Sequence, residues 1–185
     1  MEYLSDYQDL FEHIGEVKLM SPVDARNLMI QVVDVCNYLI CKGVDHRDIK
    51  DENVLYNPRT KQVKLIDFGS ASLLSTERYT KYQGTEVYLP PEYYTTNSYS
   101  ALPATTWALG CLAYTVLNGE RPFPTPKDVQ AHTKLKFLNP KLAQEDKDFL
   151  EDLLKIRESE RLLPNNIPGH PWLGLVSYVA ALLDY

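Results

Sequence analysis

His46-Arg47-Asp48-Ile49-Lys50-Asp51-Glu52-Asn53 places a carboxylate, an ammonium and a carboxamide in one short loop. Asp48, Lys50 and Asn53 alternate with residues free to face elsewhere, so three polar heads can converge on one spot. Such a set suits an anion bound with its metal ion. The acid orients a hydroxyl, the cation offsets charge, and the amide oxygen is a hard ligand for magnesium. Asp67-Phe68-Gly69 follows fourteen residues after Asn53 and adds a second oxygen ligand beside a flexible glycine.

The flanking residues read as the scaffold for these two pieces. Upstream, residues 1–4 read as extended, and a short helix is expected from Asp6 to about Gly15, with Leu10, Phe11 and Ile14 on one side. Ser21-Pro22 is a helix start, with serine at the cap and proline in the first turn. Leu28, Val32, Val35/Cys36 and Leu39 then recur at helical spacing until Gly43 stops the run. That helix delivers the chain to 46–53. Downstream, Val54-Leu55-Tyr56 and Val63-Lys64-Leu65-Ile66 flank the turn Asn57-Pro58-Arg59-Thr60, which predicts a small hairpin ending at Asp67.

Residues 70–100 are rich in Ser, Thr and Tyr and show no sustained period, which marks a functional segment. Residues 103–118 are apolar on nearly all sides, so this helix is expected to run through the middle of the domain. Gly119 ends it, and Pro122, Pro124 and Pro126 keep the next few residues out of helix. A short helix near 126–134 is expected. So are an amphipathic one at 143–156 (Phe149, Leu150, Leu153, Leu154) and a last one after Pro171, carrying Trp172, Leu175, Val176, Val179, Leu182 and Leu183.

The 185 residues suffice for one domain with a sizeable core, and 44% hydrophobic with 24% charged residues is ordinary for a globular protein. A net charge of −6 argues against nucleic acid and is compatible with a basic protein substrate. Cys36, Cys41 and Cys111 are odd in number and irregularly spaced. They read as small buried hydrophobes in a reducing compartment rather than as a disulfide framework or zinc site. No secretory leader is visible at the start, and no apolar run is long enough to span a membrane. A cytoplasmic location is expected, with the nucleus also open. His13 and His132 read as surface residues, and His46 as a structural hydrogen-bonder.

The two motifs together resemble the C-terminal lobe of a eukaryotic protein kinase: 46–53 matches the catalytic loop and 67–69 the magnesium-binding turn. Gly84-Thr85 and Pro90-Pro91-Glu92 resemble the end of the activation segment, Trp107-Ala108-Leu109-Gly110 the start of the central helix, and His170-Pro171-Trp172 the close of many kinases of the calmodulin-dependent group. Arg161 sits where the family pairs an arginine with the segment-ending glutamate, here Glu92. Within the family the resemblance is nearest to the Pim kinases, through Gln8-Asp9-Leu10-Phe11, the Lys-Asp-Glu-Asn spelling, Leu65-Ile66-Asp67-Phe68-Gly69-Ser70 and the double proline. The PAS-domain kinases come next.

The resemblance implies a protein kinase-like α+β fold, here a mostly helical C-terminal lobe with one small hairpin. Residues 1–4 would be a remnant of the interlobe hinge, 46–53 the catalytic loop and 67–92 the activation segment. The implied activity is serine/threonine phosphorylation with ATP and Mg2+. Asp48 would orient the substrate hydroxyl and accept its proton late, Lys50 would sit beside the transferring phosphate, and Asn53 and Asp67 would hold magnesium. Glu2, Leu4 and Asp9 would line the nucleotide site with Lys50, Asn53 and Asp67. Glu52 and Asp9 match positions that meet arginines upstream of the target serine, so protein partners with basic residues there are implied. Arg47 could clamp a phosphate on the segment, with Ser72, Ser75, Thr76, Tyr79 and Thr80 as candidate acceptors. Oligomeric state stays open.

The pattern is broken in three places. The glycine-rich lid, the strand lysine and the helix glutamate of a kinase are not found in the 185 residues, so the N-terminal lobe is expected to be absent. Apolar surface that would meet it should then face water, and little turnover is expected of the chain alone. Thr105 stands where most of the family has an aspartate that bonds the loop, an aspartate that the Pim kinases also lack. Asp45 stands where an apolar residue is usual, and its buried carboxylate calls for a partner or a proton. A lobe-only binding module without turnover is the alternative reading.

Overall fold

Ser21 accepts the backbone N–H of Asp24 at 3.1 Å, and Pro22 opens the helix that this cap nucleates. In the computed structural model, which describes residues 6–131 and 134–174, that helix is α2 (Pro22–Cys41). It leads into β2 (Val44–Asp45) and the 46–53 loop. The apolar stretch after residue 100 forms α4 (Ala101–Asn118), buried along nearly its whole length. It packs against α2 on one side and α6 (Gln144–Leu153) on the other. Gly110 permits the close approach to α6: a Cβ there would lie 2.9 Å from Leu153 and Leu154 side-chain atoms. The short helix after Pro126 is α5 (Pro126–Gln130).

His170-Pro171-Trp172 closes the core. Trp172 stacks on Phe149 of α6 with ring centroids 4.1 Å apart, and its Nε1–H donates to Asp146 at 2.6 Å. The other oxygen of Asp146 accepts the N–H of Ala143 at 2.7 Å, so one buried carboxylate both caps α6 and fixes the indole. Pro171–Leu173 is a 3-10 turn rather than the start of an α-helix. The rest of the expected last helix (175–185) lies outside the described residues, as do residues 1–5 and His132.

The strands depart from the expectation of one hairpin. β3 (Val54–Tyr56) and β4 (Val63–Leu65) pair as expected, with Val54 opposite Leu65. A third strand, β1 (Gln8–Asp9), pairs antiparallel with β3 and places Gln8 opposite Tyr56. The helix expected from Asp6 therefore starts later, as α1 (Leu10–Val17). Residues 8–9 satisfy their backbone on β3, and the Asp9 carboxylate caps the helix by accepting the N–H of Glu12 at 2.8 Å. A second sheet joins β2 to β5 (Ser72–Leu73), with Asp45 opposite Ser72. Residues 70–100 are thus more ordered than their lack of period suggests. They also hold α3 (Pro91–Thr96) and a Tyr79–Tyr99 bridge.

Two smaller expectations need correction. Cys36 and Cys111 are buried, but Cys41 is exposed at the end of α2. His13 is half-buried against the Tyr56 ring, at 4.8 Å, rather than at the surface. No helix among the described residues is long and apolar enough to cross a membrane.

Candidate active site

The 46–53 loop leaves β2, and two ring nitrogens of one histidine set its path. His46 Nε2 lies 3.0 Å from the carbonyl of Ile66, which can only accept, so Nε2 carries the proton. Nδ1 is then an acceptor and takes the N–H of Asp48 at 3.3 Å. Burial lowers the imidazole's proton affinity, opposed by the Ile66 carbonyl and by Asp48 and Asp67. A neutral ring is what this arrangement needs, because a protonated Nδ1 could not accept. His46 is therefore structural, as expected from the sequence.

Asp48 is the hub. Its Oδ1 accepts the backbone N–H and the hydroxyl of Thr85, each at 3.0 Å. Its Oδ2 accepts Asn53 Nδ2 at 3.0 Å and faces Lys50 Nζ at 3.2 Å. Lys50 also donates to Thr85 Oγ1 at 2.7 Å. Asn53 Nδ2 donates as well to the Asp48 carbonyl at 2.8 Å, which commits the amide hydrogens and leaves Oδ1 as the group's ligand atom. The structure thus brings Asp48, Lys50 and Asn53 together, and adds Thr85. Only the Gly84-Thr85 pair hints at Thr85 in the sequence, and nothing local points it at Asp48.

Asp67 is held next to this cluster through its neighbour. Ile66 donates its N–H to the Asn53 carbonyl at 2.9 Å. Asp67 adopts a left-handed conformation (φ 60°), stabilised by the N–H of Gly69 on its Oδ1 at 3.1 Å. The residue is exposed. An amide oxygen and a carboxylate oxygen fit a magnesium ion that keeps phosphate oxygens and waters as its other ligands. Among the described residues there is no group of three or more His, Cys, Asp or Glu that could enclose a metal alone. Phe68, beside Asp67, and Leu73 of β5 are exposed, Leu73 by 81%.

The remaining candidates are spread out. Asp9 spends one carboxylate oxygen on the α1 cap. Glu52 faces Arg121 at 3.5 Å, so it already has a cation of the chain's own. Burial and the neighbouring Asp51 raise its proton affinity. Glu2 and Leu4 lie outside the described residues. Arg47 donates to the Lys81 carbonyl at 3.0 Å, Tyr99 Oη at 2.9 Å and Gln83 Oε1 at 3.3 Å, and its guanidinium lies 4.4 Å from the Tyr79 ring centre. The segment thereby supplies Arg47 with partners that carry no phosphate.

The two departures at 45 and 105 meet in one hydrogen bond. Asp45 is 4% exposed and accepts from Thr105 Oγ1 at 3.4 Å. Burial pushes its carboxyl up to about 6, against the opposing pull of Arg47 and Thr105.

Gly84 fixes how closely the segment approaches the loop. At φ +119°, a Cβ would sit 2.6 Å from the Arg47 carbonyl and 3.2 Å from Asp48 Oδ1. Gly84→Ala should therefore push Thr85 off Asp48 and destabilise the chain by about 1–3 kcal/mol. Thermal unfolding checks this; an unchanged midpoint would show that the approach is not tight.

The chain matches the protein kinase domain family over residues 1–173. It is 37% identical over 166 residues to zebrafish (Danio rerio) serine/threonine-protein kinase pim-2, covering 90% of this chain and 53% of the relative. It is 36% identical over 168 residues to serine/threonine-protein kinase prk-2 of Caenorhabditis elegans (89% and 38%). It is also 34% identical over 166 residues to serine/threonine-protein kinase PSK1 of Saccharomyces cerevisiae (89% and 12%). The chain spans about half the length of the first of these and less of the other two.

Proposed function

The chain belongs to the protein kinase domain family, and from that premise we propose that it transfers the γ-phosphate of ATP to serine and threonine hydroxyls of protein substrates. The observation that carries the proposal is the Asp48 cluster. Lys50 and Asn53 lie 3.2 and 3.0 Å from one Asp48 oxygen, and Thr85 bonds both the other oxygen and Lys50. Phosphoryl transfer asks for positioning and charge stabilisation more than for covalent chemistry, and this cluster supplies both.

Asp48 orients the incoming hydroxyl and takes its proton late. Lys50, already beside Asp48, offsets charge on the transferring group. Thr85 keeps the carboxylate from rotating away. Asn53 Oδ1 and Asp67 would hold Mg2+, which neutralises phosphate charge when bound. Arginines upstream of the acceptor would meet Glu52 in competition with Arg121, and the free oxygen of Asp9.

The residues correspond, in this reading, to a C-terminal lobe, and turnover calls for a phosphate lid and strand lysine that these 185 residues do not carry. The test is MgATP-dependent labelling of serine peptides with and without upstream arginines, by the chain alone and by the chain joined to a kinase N-terminal lobe. Transfer by the joined form, faster on basic peptides, is expected. Transfer by neither form would favour a binding module, and equal rates on both peptides would remove the basic preference.

A further inference from the structure

Arg121 is a cation of the chain's own, placed where the transfer reading puts an arginine from outside. The connection that carries it is anchored at both ends. Gly119 ends α4 at φ +77°, and a Cβ there would lie 2.3 Å from the Lys18 carbonyl, so the end of α4 touches the end of α1 backbone to backbone. Four residues on, Phe123 is buried and stacks on Trp107 of α4 with ring centroids 5.3 Å apart. Pro122 narrows the backbone choices between them.

The Arg121 guanidinium lies 5.8 Å from the centre of the Tyr88 ring. Tyr88 is itself pinned, because its hydroxyl donates to the buried Asp51 carboxylate at 2.9 Å. From there Arg121 faces Glu52 Oε1 at 3.5 Å, a charge contact longer than a good hydrogen bond. Glu52 Oε2 is buried and has no hydrogen-bond partner among the described residues. The carboxylate therefore has a loosely held cation on one oxygen and an open acceptor in the other. It sits in the turn Asp51–Asn53, next to the Asn53 that bonds Asp48, so a group held at Glu52 lies beside the Asp48 cluster.

Arg121 also borders a groove of about 400 Å³ between α1 and the residues after α4, together with Phe11, Ile14, Asp51 and Glu120. Three carboxylates, Asp51, Glu52 and Glu120, stand there against two cations, Lys18 and Arg121. That balance disfavours an anionic ligand at Arg121 and favours a guanidinium brought by a peptide.

We propose that Arg121 is a specificity-determining residue: it holds, from inside the chain, the place at Glu52 that a substrate arginine takes, and a basic peptide binds by displacing it. The choice of peptide rests on the transferase reading; the binding itself needs no transfer. Displacement exchanges the 3.5 Å charge contact for hydrogen bonds from the incoming guanidinium to both Glu52 oxygens, the two-pronged contact that arginine favours. Arg121 is about one-third exposed, so water screens its contact with Glu52 and the penalty it sets on basic peptides is modest. The chain accordingly separates basic from neutral peptides less sharply than Glu52 would without Arg121.

The test is fluorescence anisotropy with the 185-residue chain. The probes are a labelled serine peptide with arginines upstream of the serine, and the same peptide with citrulline in their place. Citrulline keeps the shape and removes the charge, so the affinity ratio of the two peptides reads charge recognition. Arg121→Gln should raise that ratio about three- to fivefold, and Arg121→Ala should do the same if the glutamine variant fails to fold. Arg121→Lys keeps the cation and should stay within about twofold of the unsubstituted chain. Glu52→Gln should lower the ratio, and adding Arg121→Gln to it should then change nothing further, because the two residues act on one site. An unchanged ratio in Arg121→Gln and Arg121→Ala would overturn the proposal. An equal gain for both peptides would do so as well, since Arg121 would then be only a steric rim. So would a gain that persists beside Glu52→Gln, or a basic peptide that fails to bind once Arg121 is removed. Absence of phosphate transfer by the chain joined to a kinase N-terminal lobe would sink the transferase reading, and the peptide ratios would still decide for or against Arg121.

Discussion

In the chain joined to a kinase N-terminal lobe, Asp48→Asn should lower phosphate transfer by about 10²–10⁴-fold while leaving the chain folded, because under the proposed function it deletes a base without deleting a shape. The amide oxygen introduced can still accept from the Thr85 N–H and hydroxyl, which now bond Oδ1 at 3.0 Å. What it cannot do is take a proton or attract Lys50, which now lies 3.2 Å from Oδ2. The new NH2 would also face donors from Lys50 and Asn53, so a modest loss of stability accompanies the large loss of rate. Initial rates with a serine peptide, alongside thermal unfolding of the same preparations, separate the two effects. A rate within about tenfold of the unsubstituted enzyme would remove Asp48 from the base role.

The second large effect concerns stability. Arg161 is buried, and each of its five N–H groups has an acceptor. Two go to the Glu92 carboxylate at 3.1 and 2.8 Å. The others go to the carbonyls of Pro103 at 2.8 Å, Lys155 at 2.9 Å and Ile156 at 3.2 Å. The guanidinium also lies over the Trp107 ring at 5.1 Å. Arg161→Met should cost about 3–5 kcal/mol, because it strands the buried Glu92 charge and leaves three carbonyls short of a donor. For a chain of this size that corresponds to an unfolding midpoint lower by roughly 10 °C. Adding Glu92→Gln should return part of the loss, since the lone buried charge is then gone. Arg161→Lys should not rescue, because an ammonium cannot make the two-pronged contact. A loss below about 1 kcal/mol in Arg161→Met would mean that the pair contributes no more than a surface bridge.

Much of the frame is legible because its causes are local. Ser21 and Pro22 start α2 within one turn, and the mostly apolar run of residues 107–117 announces a central helix whichever way it is turned. Asp48, Lys50 and Asn53 lie in one short loop, so their convergence follows from a few backbone angles. The Glu92–Arg161 pair spans 69 residues, and only the family pattern, with no short-range signal, connects its two halves in the sequence. Residues 70–100 lack a readable pattern because periodicity needs length. β5 is two residues long, α3 is six, and neither spans enough turns to show a period.

The corrected details share a physical cause. The helix expected from Asp6 would hold Asp9 within it, but residues 8–9 pair with β3, which makes Asp9 the cap of a later helix. Asp45 is an unexplained charge in the sequence; Thr105, 60 residues away, gives it a hydrogen-bond partner only in the folded chain.

The sequence by itself determined the family, the helices that begin at a cap and run as an apolar stripe, and the identity of the polar groups in 46–53. Only the tertiary structure decided which way those groups face. Thr85 holds the Asp48 carboxylate from 37 residues downstream, and Gly84 allows the backbones to touch. Caps and periodic stripes act across a turn or two of chain. The alignment of the Asp48 carboxylate is set by hydrogen bonds from segments with no local pattern, which become readable only once the core has brought them together.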